Sequence, residues 1–251
     1  MSKQAIESFF SAQEIGQLDP TLVPQHIAII PDGNRRWAKS RKLTPEKGHM
    51  EGYSQVVKIV RAAKELGVKV ITLFAFSTEN WKRPGDEVEH LMLLTQEYLT
   101  SYQNTLFEEG IRLSAIGNID VLPLSVKSIL DKTIKKTQDC HDFDLVLAIN
   151  YGGRDELVRA IKKVVANSCD AESITEQMIS AHLDTNRWPD PDLIIRTSGE
   201  KRLSNFLLWQ SSYAEVYIDD AAWPDFTPHH LLKAISDYQM RERRLGGSTK
   251  Q

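Results

Sequence analysis

The chain has 251 residues, 41% apolar, 8% aromatic and 26% charged, and a net charge of −3. That length supports one large domain or two small ones, and the composition is that of a globular chain with ample core material. The faintly acidic balance gives no bulk attraction to nucleic acid, so any anion site must be a local cluster of basic residues. The two cysteines, Cys140 and Cys169, form no CxxC pair and lie beside no run of histidines. This argues against a zinc site or a disulfide framework and suits reduced thiols in a cytoplasmic protein. The N-terminus lacks the apolar run and small-residue cleavage site of a signal peptide, and no stretch approaches the roughly 20 apolar residues of a membrane span. A lipid substrate would have to be met from the aqueous side or at the membrane surface.

In chain order, residues 1–24 read as an appendage ending at Pro24, ahead of one domain over residues 25–251. Ile27 to Ile30 is a continuous apolar run stopped by Pro31-Asp32-Gly33, the pattern of a strand buried on both faces. A helix is predicted over 49–66, with Gly67 as its C-cap. A second strand follows over 70–76, then a helix over 86–109 that stops at Gly110, a strand over 112–116 and a helix over 123–139. Residues 145–149 are a fourth strand, 154–167 and 174–184 helices, the latter capped by Thr175. Residues 193–196 and 214–218 are the last strands and 228–244 the last helix. Alternating strands and helices imply an α/β fold: a single domain with a mainly parallel central sheet flanked by helices. Ligands of such sheets bind beyond the carboxyl ends of the strands. Asp32, Ser77 to Arg83 and Arg196 to Ser204 fall at three such ends, so three segments should converge on one crevice.

Four segments carry chemistry. Asp32-Gly33-Asn34-Arg35-Arg36-Trp37 places a carboxylate, a permissive glycine and two guanidinium groups where a helix begins, which makes either a diphosphate cradle or an ordinary strand-to-helix turn. Phe76 to Pro84 packs hydroxyls, an amide, an acid, Trp81 and two bases into one strand exit; its polar groups either meet a ligand or cap the next helix. Arg196-Thr197-Ser198-Gly199-Glu200-Lys201-Arg202-Leu203-Ser204 surrounds a glycine turn with anion-binding donors, without the GxxxxGK[ST] of a nucleotide-binding loop. Glu215 opens an apolar strand. With Asp32 it is a candidate ligand pair for Mg2+, which favours carboxylate, phosphate and water oxygens; otherwise it pairs with a local arginine.

Together Asp32-Gly33-Asn34, Arg36-Trp37, Gly48-His49, Phe76 to Trp81 with Arg83-Pro84, Asn150 to Arg154, and Arg196-Thr197 through Ser204 to Gln210 are similar to the motifs of the cis-prenyltransferase family. The likeness is strongest to its bacterial undecaprenyl diphosphate synthase branch and runs from about His26 to Gly247, in the family's order. It implies a Mg2+-dependent transferase that adds isopentenyl diphosphate repeatedly to an allylic diphosphate, such as farnesyl diphosphate, with cis geometry. The implied product is a long-chain polyprenyl diphosphate of undecaprenyl length, a precursor of the peptidoglycan lipid carrier. The resemblance also implies a cytoplasmic homodimer, peripheral membrane contact to deliver product, and an apolar tunnel for the growing chain. The helix carrying Leu91, Met92, Leu94, Tyr98 and Leu99 is a candidate tunnel wall or plain core.

By the same resemblance Asp32 places Mg2+ and assists diphosphate departure. Gly33, Asn34, Arg35, Arg36 and Trp37 wrap the allylic diphosphate, with His49 beside it. Asn80 helps remove the proton from the condensing unit, and since an amide is a poor base it would orient the acceptor. Ser77, Thr78, Glu79, Trp81, Arg83 and Leu203 are substrate contacts, Arg196, Arg202 and Ser204 form the isopentenyl diphosphate site, and Glu215 is a second Mg2+-associated acid. Three positions depart from the family. Arg35 stands where glycine is frequent, so it would contribute only its backbone or an added charge. Pro45 stands where an arginine is usual, leaving Arg41, Lys42 or Lys47 to supply the charge, and Leu245 stands for a phenylalanine in a C-terminal tail that reaches the partner subunit. No DDxxD pair is present, which excludes the all-helical trans-prenyltransferases. A noncatalytic family subunit would tend to lose Asp32 or the Asn80-Trp81 segment, and a phosphate-binding regulatory domain would need no apolar tunnel.

Overall fold

The structure, a computed structural model, describes residues 8–166 and 171–243. Six strands form one sheet in the order β3-β4-β2-β1-β5-β6, where β1 is His26–Ile30, β2 Val70–Ser77, β3 Ile111–Ile116, β4 Phe143–Tyr151, β5 Leu193–Arg196 and β6 Glu215–Ile218. All five pairings are parallel. Every residue of β1 is buried, as the unbroken apolar run requires of a strand covered on both faces. From β1 the chain winds first towards β2 and later crosses back to β5. The order thus reverses beside β1, and the carboxyl ends of β2, β1 and β5 flank the crevice that this reversal opens.

On one face Ile27, Ile29, Ile71, Leu73, Leu145 and Ile195 form the larger core with helices α3 (Pro45–Glu65), α4 (Gly85–Glu108), α5 (Leu124–Thr137) and α8 (Pro228–Gln239). On the other, Ala28, Ile30, Val146, Ala148 and Ile194 meet Phe206 and Leu207 of the segment after β5. A short helix α1 (Ala12–Ile15), α2 (Asn34–Ser40), α6 (Gly153–Ala166) and α7 (Glu176–His182) complete the chain.

The differences from expectation have local causes. α3 begins four residues early because Thr44 takes the N-cap conformation and Pro45 the first helical position, a turn outside the apolar periodicity. α7 is shorter than predicted because Leu183 is already extended (φ −68°, ψ 155°). α8 ends at Gln239, short of the expected 244. Thr78–Lys82 forms a 3-10 helix, with Asn80 Oδ1 accepting from the Ser77 N–H at its start. Residues 8–24, read as an appendage, lie against the domain: Phe10 is buried in the larger core, Phe9 N–H donates to Glu65, and Asp19 bonds Gln239 of α8. Cys140 is buried and free, and Cys169 lies outside the described residues.

Beneath the second core face a buried polar network ties β4 to the segment after β5. Glu156 accepts from Tyr151 Oη at 2.5 Å, Gln210 Nε2 at 3.0 Å and the Asp184 amide at 2.9 Å. Burial is the main reason its carboxyl is pushed up. Asp184 in turn receives Arg159 through two bonds of 2.8 and 2.7 Å. With its donors satisfied, the network fixes one arrangement of this half of the sheet.

Candidate active site

The strand ends converge as the sequence implied. Asp32 leaves β1 in a turn locked by the fully buried Thr197, whose hydroxyl accepts from Asp32 N at 2.8 Å and donates to Asp32 O at 2.7 Å. Gly33 follows at φ 102°, and a Cβ there would stand 2.7 Å from Ser198 Oγ, so both backbone hand and space demand glycine. The Asp32 carboxylate receives Arg196 Nη2 at 2.8 Å on one oxygen and the Gly33 N–H at 2.7 Å on the other, with Arg36 at 3.4 Å. Partial burial pushes this carboxyl up, but the Arg196 hydrogen bond and charge, then Gly33 and Arg36, prevail and hold it below its ordinary value. Asp32 is therefore ionised at neutral pH.

Arg196, 4% exposed, is the hub. Its Nη1 donates to Ser204 Oγ at 2.8 Å and to the Arg202 carbonyl, while its buried Nε has no partner. The chain around it is strained: Ser198, Ser204, Asn205 and Leu207 all have positive φ (73°, 50°, 66° and 44°), each a conformation that surrounding contacts must enforce. Phe206 supplies one such contact by stacking on Phe74 at 4.4 Å.

Two adjoining cavities open here. The polar one, about 410 Å³, is lined by Asp32, Gly33, Asn34, Arg35, Arg36, His49, Arg83, Glu200 and Arg202 among others. The larger, about 660 Å³, shares Asp32, Asn34, His49, Arg83 and Arg202, adds Ser77, Glu79, Asn80, Arg196 and Ser204, and runs on over Tyr53, Val56, Leu73, Phe74, Leu91 and Trp223. A cluster of cationic donors thus opens onto an apolar floor. Of the proposed tunnel wall on α4, only Leu91 reaches this floor; Met92, Tyr98 and Leu99 are packed in the larger core and Leu94 is buried away from it. The apolar wall is instead built from α3 and β2. Gly52 permits it, since a Cβ there would come within 2.9 Å of Trp223.

Other predicted residues sit beside the cavities. Trp37 turns to Asp225, donating through Nε1 at 2.8 Å, with Arg41 over its ring at 4.4 Å. Arg41 also bonds Asp225, so it does not stand in for the arginine missing at Pro45; Lys42 and Lys47 are exposed and line neither cavity. Trp81 donates to Asn150 Oδ1 at 2.7 Å and packs edge-on to Phe76. Thr78 donates to Glu79, and Leu203 packs on the smaller core.

Glu215 requires a correction. It lies opposite Leu193, which lies opposite Ile27, at the amino end of the sheet. That is five residues, about 16 Å of strand, behind Asp32. The two acids of one chain cannot share an ion. Glu215 is paired with Arg241 at 2.9 Å, the local salt bridge that was the other reading. Arg244 to Gly247 of the expected tail lie outside the described residues.

Sequence reasoning missed Glu87, which gathers Arg83 at 3.1 Å, Arg35 at 3.6 Å and His49 at 3.6 Å. Its place in the first turn of α4, four residues after Arg83, was the available signal. His49 is buried. That burial, above all, depresses its imidazole to about 4; Arg83 and His90 add to this and Glu87 opposes it. His49 is neutral at pH 7. Unfolded, it would titrate near 6.5, so the unfolded chain binds more protons between those values. Its contribution to stability is complete above about pH 6.5 and is lost as pH falls towards 4. Denaturant titrations should show the wild type losing stability across that window more steeply than His49→Asn; parallel curves would deny the shift.

A family model described as "Putative undecaprenyl diphosphate synthase" matches residues 30–246. An isoprenyl transferase of Shouchella clausii is 50% identical over 241 residues, covering 94% of this chain and 93% of its own. One of Bacillus thuringiensis subsp. konkukian is 48% identical over 229 residues, 90% and 89% of the two chains. Among solved structures, the fold is similar to lavandulyl diphosphate synthase of Lavandula x intermedia in complex with dimethylallyl diphosphate, with a TM-score of 0.88 and 37% identity over 90% of this chain and 99% of that one. A probable undecaprenyl diphosphate synthase from Campylobacter jejuni gives 0.77 and 34% over 89% and 98%. The crevice at the reversal of a parallel sheet, its arginines and these likenesses agree: the chain belongs to the undecaprenyl diphosphate synthase family of isoprenyl transferases.

Proposed function

We propose that the protein condenses isopentenyl diphosphate successively with an allylic diphosphate, farnesyl diphosphate being the favoured primer. The product would be a cis-polyprenyl diphosphate of undecaprenyl length that serves cell-wall lipid-carrier synthesis. The observation that carries the reading is the position of Asp32, ionised between Arg196 and Arg36, where the arginine-lined cavity joins the apolar one. The C–O bond of the allylic diphosphate would break while the alkene of the isopentenyl unit forms the new C–C bond, and a proton would then leave that unit. Arg35, Arg36 and Arg83 would stabilise the departing diphosphate, and Arg196, Arg202 and Ser204 would hold the second diphosphate. Asn80, with its Oδ1 held by Ser77 N–H at 3.0 Å, would orient the proton acceptor. The floor of Tyr53, Val56, Leu73, Phe74 and Leu91 would exclude water from the allylic cation and accept the growing chain.

Mg2+ fits this donor set. No group of three or more metal-ligating side chains occurs among the described residues. However, Mg2+ is commonly held by one or two carboxylates with substrate phosphates and water, and Asp32 offers a hard oxygen at the cavity. When bound, the ion would neutralise charge on the departing diphosphate. No described helix is long and apolar enough to cross a membrane; we place the enzyme in the cytoplasm as a homodimer that releases its product at the membrane surface.

Incorporation of radiolabelled isopentenyl diphosphate onto farnesyl diphosphate, with and without Mg2+ and with products sized by chromatography, tests the reading. A Mg2+-dependent ladder ending near eleven isoprene units, the count the family likeness implies, is expected. A shorter end point would change the product assigned, and no incorporation by folded protein would favour a noncatalytic subunit.

A further inference from the structure

Asn205 ties its own segment to two others, the first turn of α6 and the 3-10 helix after β2. Its backbone carbonyl accepts from Gly153 N at 2.7 Å and its Oδ1 from Arg154 N at 3.0 Å, so it caps the first turn of α6 from a segment some fifty residues away. Its Nδ2 donates to Glu79 Oε1 at 2.9 Å, across 126 residues. The amide orientation is fixed by chemistry: a backbone N–H can only donate and a carboxylate only accept. Asn205 directly follows Ser204, which bonds Arg196, and it holds φ 66° in the strained segment. Glu79 directly precedes Asn80 in the 3-10 helix after β2. Both Asn205 and Glu79 line the larger cavity.

We propose that the Asn205–Glu79 bond is a clasp that sets the spacing between the two halves of the reaction site. On one side stand Arg196, Arg202 and Ser204, and on the other Ser77, Asn80 and Arg83. The residue is a positioning residue: it acts by fixing where Ser204 and Asn80 stand relative to each other, and its cap on α6 anchors the clasp to the body of the domain. An amide at 205 is required because a carboxylate there would keep the cap on α6 but turn a charged oxygen on Glu79. Partial burial pushes the Glu79 carboxyl up, yet the hydrogen bonds it accepts, the Asn205 amide's first among them, leave it below its ordinary value. Asp32, Arg196, Arg202 and Arg83 are the other charged groups on the same cavity.

This rests on the reading of the site as an isopentenyl diphosphate pocket, and the test separates the two. Isopentenyl diphosphate binding by calorimetry and steady-state kinetics would be measured for the wild type, Asn205→Asp, Glu79→Gln and the double variant. Asn205→Asp should retain the wild-type melting temperature, because an acid at the start of α6 still caps it, but weaken isopentenyl diphosphate binding about tenfold or more. Asn205→Asp with Glu79→Gln restores a donor facing an acceptor with the roles exchanged. It should recover most of that loss, giving a coupling in the double-mutant cycle that neither single change explains. Wild-type protein that binds no isopentenyl diphosphate would sink the reading of the pocket. A wild type that binds, with Asn205→Asp binding equally well or with no rescue in the double variant, would sink the clasp alone. A lowered melting temperature in Asn205→Asp, with binding lost only in step with folding, would reduce Asn205 to a helix cap and overturn the proposal as well.

Discussion

Asp32→Asn is expected to lower turnover about a thousandfold while isopentenyl diphosphate binds no more weakly than to the wild type. The split follows from the two jobs that the carboxylate's surroundings give it. Its charge offsets Arg196 and Arg36, which hold it at 2.8 and 3.4 Å. A diphosphate arriving at those arginines has to compete with Asp32, so removing the charge leaves the cationic site more attractive to an anion. The same substitution removes the hard oxygen that would place Mg2+ and the negative field beside the departing diphosphate, and that loss is felt in the rate. The fold should survive, since asparagine keeps the shape and its single oxygen can still accept from either Arg196 or the Gly33 N–H. Steady-state kinetics with a calorimetric Kd for isopentenyl diphosphate separate the effects. Turnover within tenfold of wild type would remove Asp32 from the mechanism.

The parallel sheet was legible because strands buried on both faces are written as apolar runs, and Ile27–Ile30, Leu193–Ile195 and, but for Thr72, Val70–Phe76 are such runs. The crevice was legible for the same reason. Once strands are parallel, whatever follows each run lies at one end of the sheet, so Asp32, Ser77 and Arg196 had to meet. Glu215 was misplaced by neglect of the same rule: it opens its strand instead of following it, which puts it at the far end. The apolar wall was misassigned because helical periodicity marks a buried stripe without naming its neighbour. Met92, Tyr98 and Leu99 face the core, and Tyr53 and Val56 of α3 reach the cavity. Glu87 and Asn205 act through contacts spanning the fold. Asn205 lies within the motif that carries the likeness, but its role has no local signal, for its partners Glu79 and Arg154 lie far from it in sequence.

The second large effect concerns Arg196. Arg196→Ala should raise KM for isopentenyl diphosphate at least about a hundredfold, from the loss of more than one charge-assisted bond, with a smaller fall in kcat. The guanidinium spans three acceptors on two segments, Asp32 on one side and Ser204 with the Arg202 carbonyl on the other. On the proposed reading it would bind the anion, and it also ties down the segment in which Ser204 and Asn205 hold positive φ. Arg196→Lys should rescue little, because an ammonium is a single point that cannot reach both segments with a planar fork. A second readout follows from Asp32. Arg196 is the chief influence holding its carboxyl down against partial burial. Without it the carboxyl rises, so the acid limb of the kcat/KM profile should move to higher pH and activity should fail sooner on acidification. A plain loss of packing would lower the melting temperature and leave that limb in place. An Arg196→Ala enzyme with unchanged KM and an unshifted acid limb would therefore refute the assignment of this arginine to both the second diphosphate and the ionisation of Asp32.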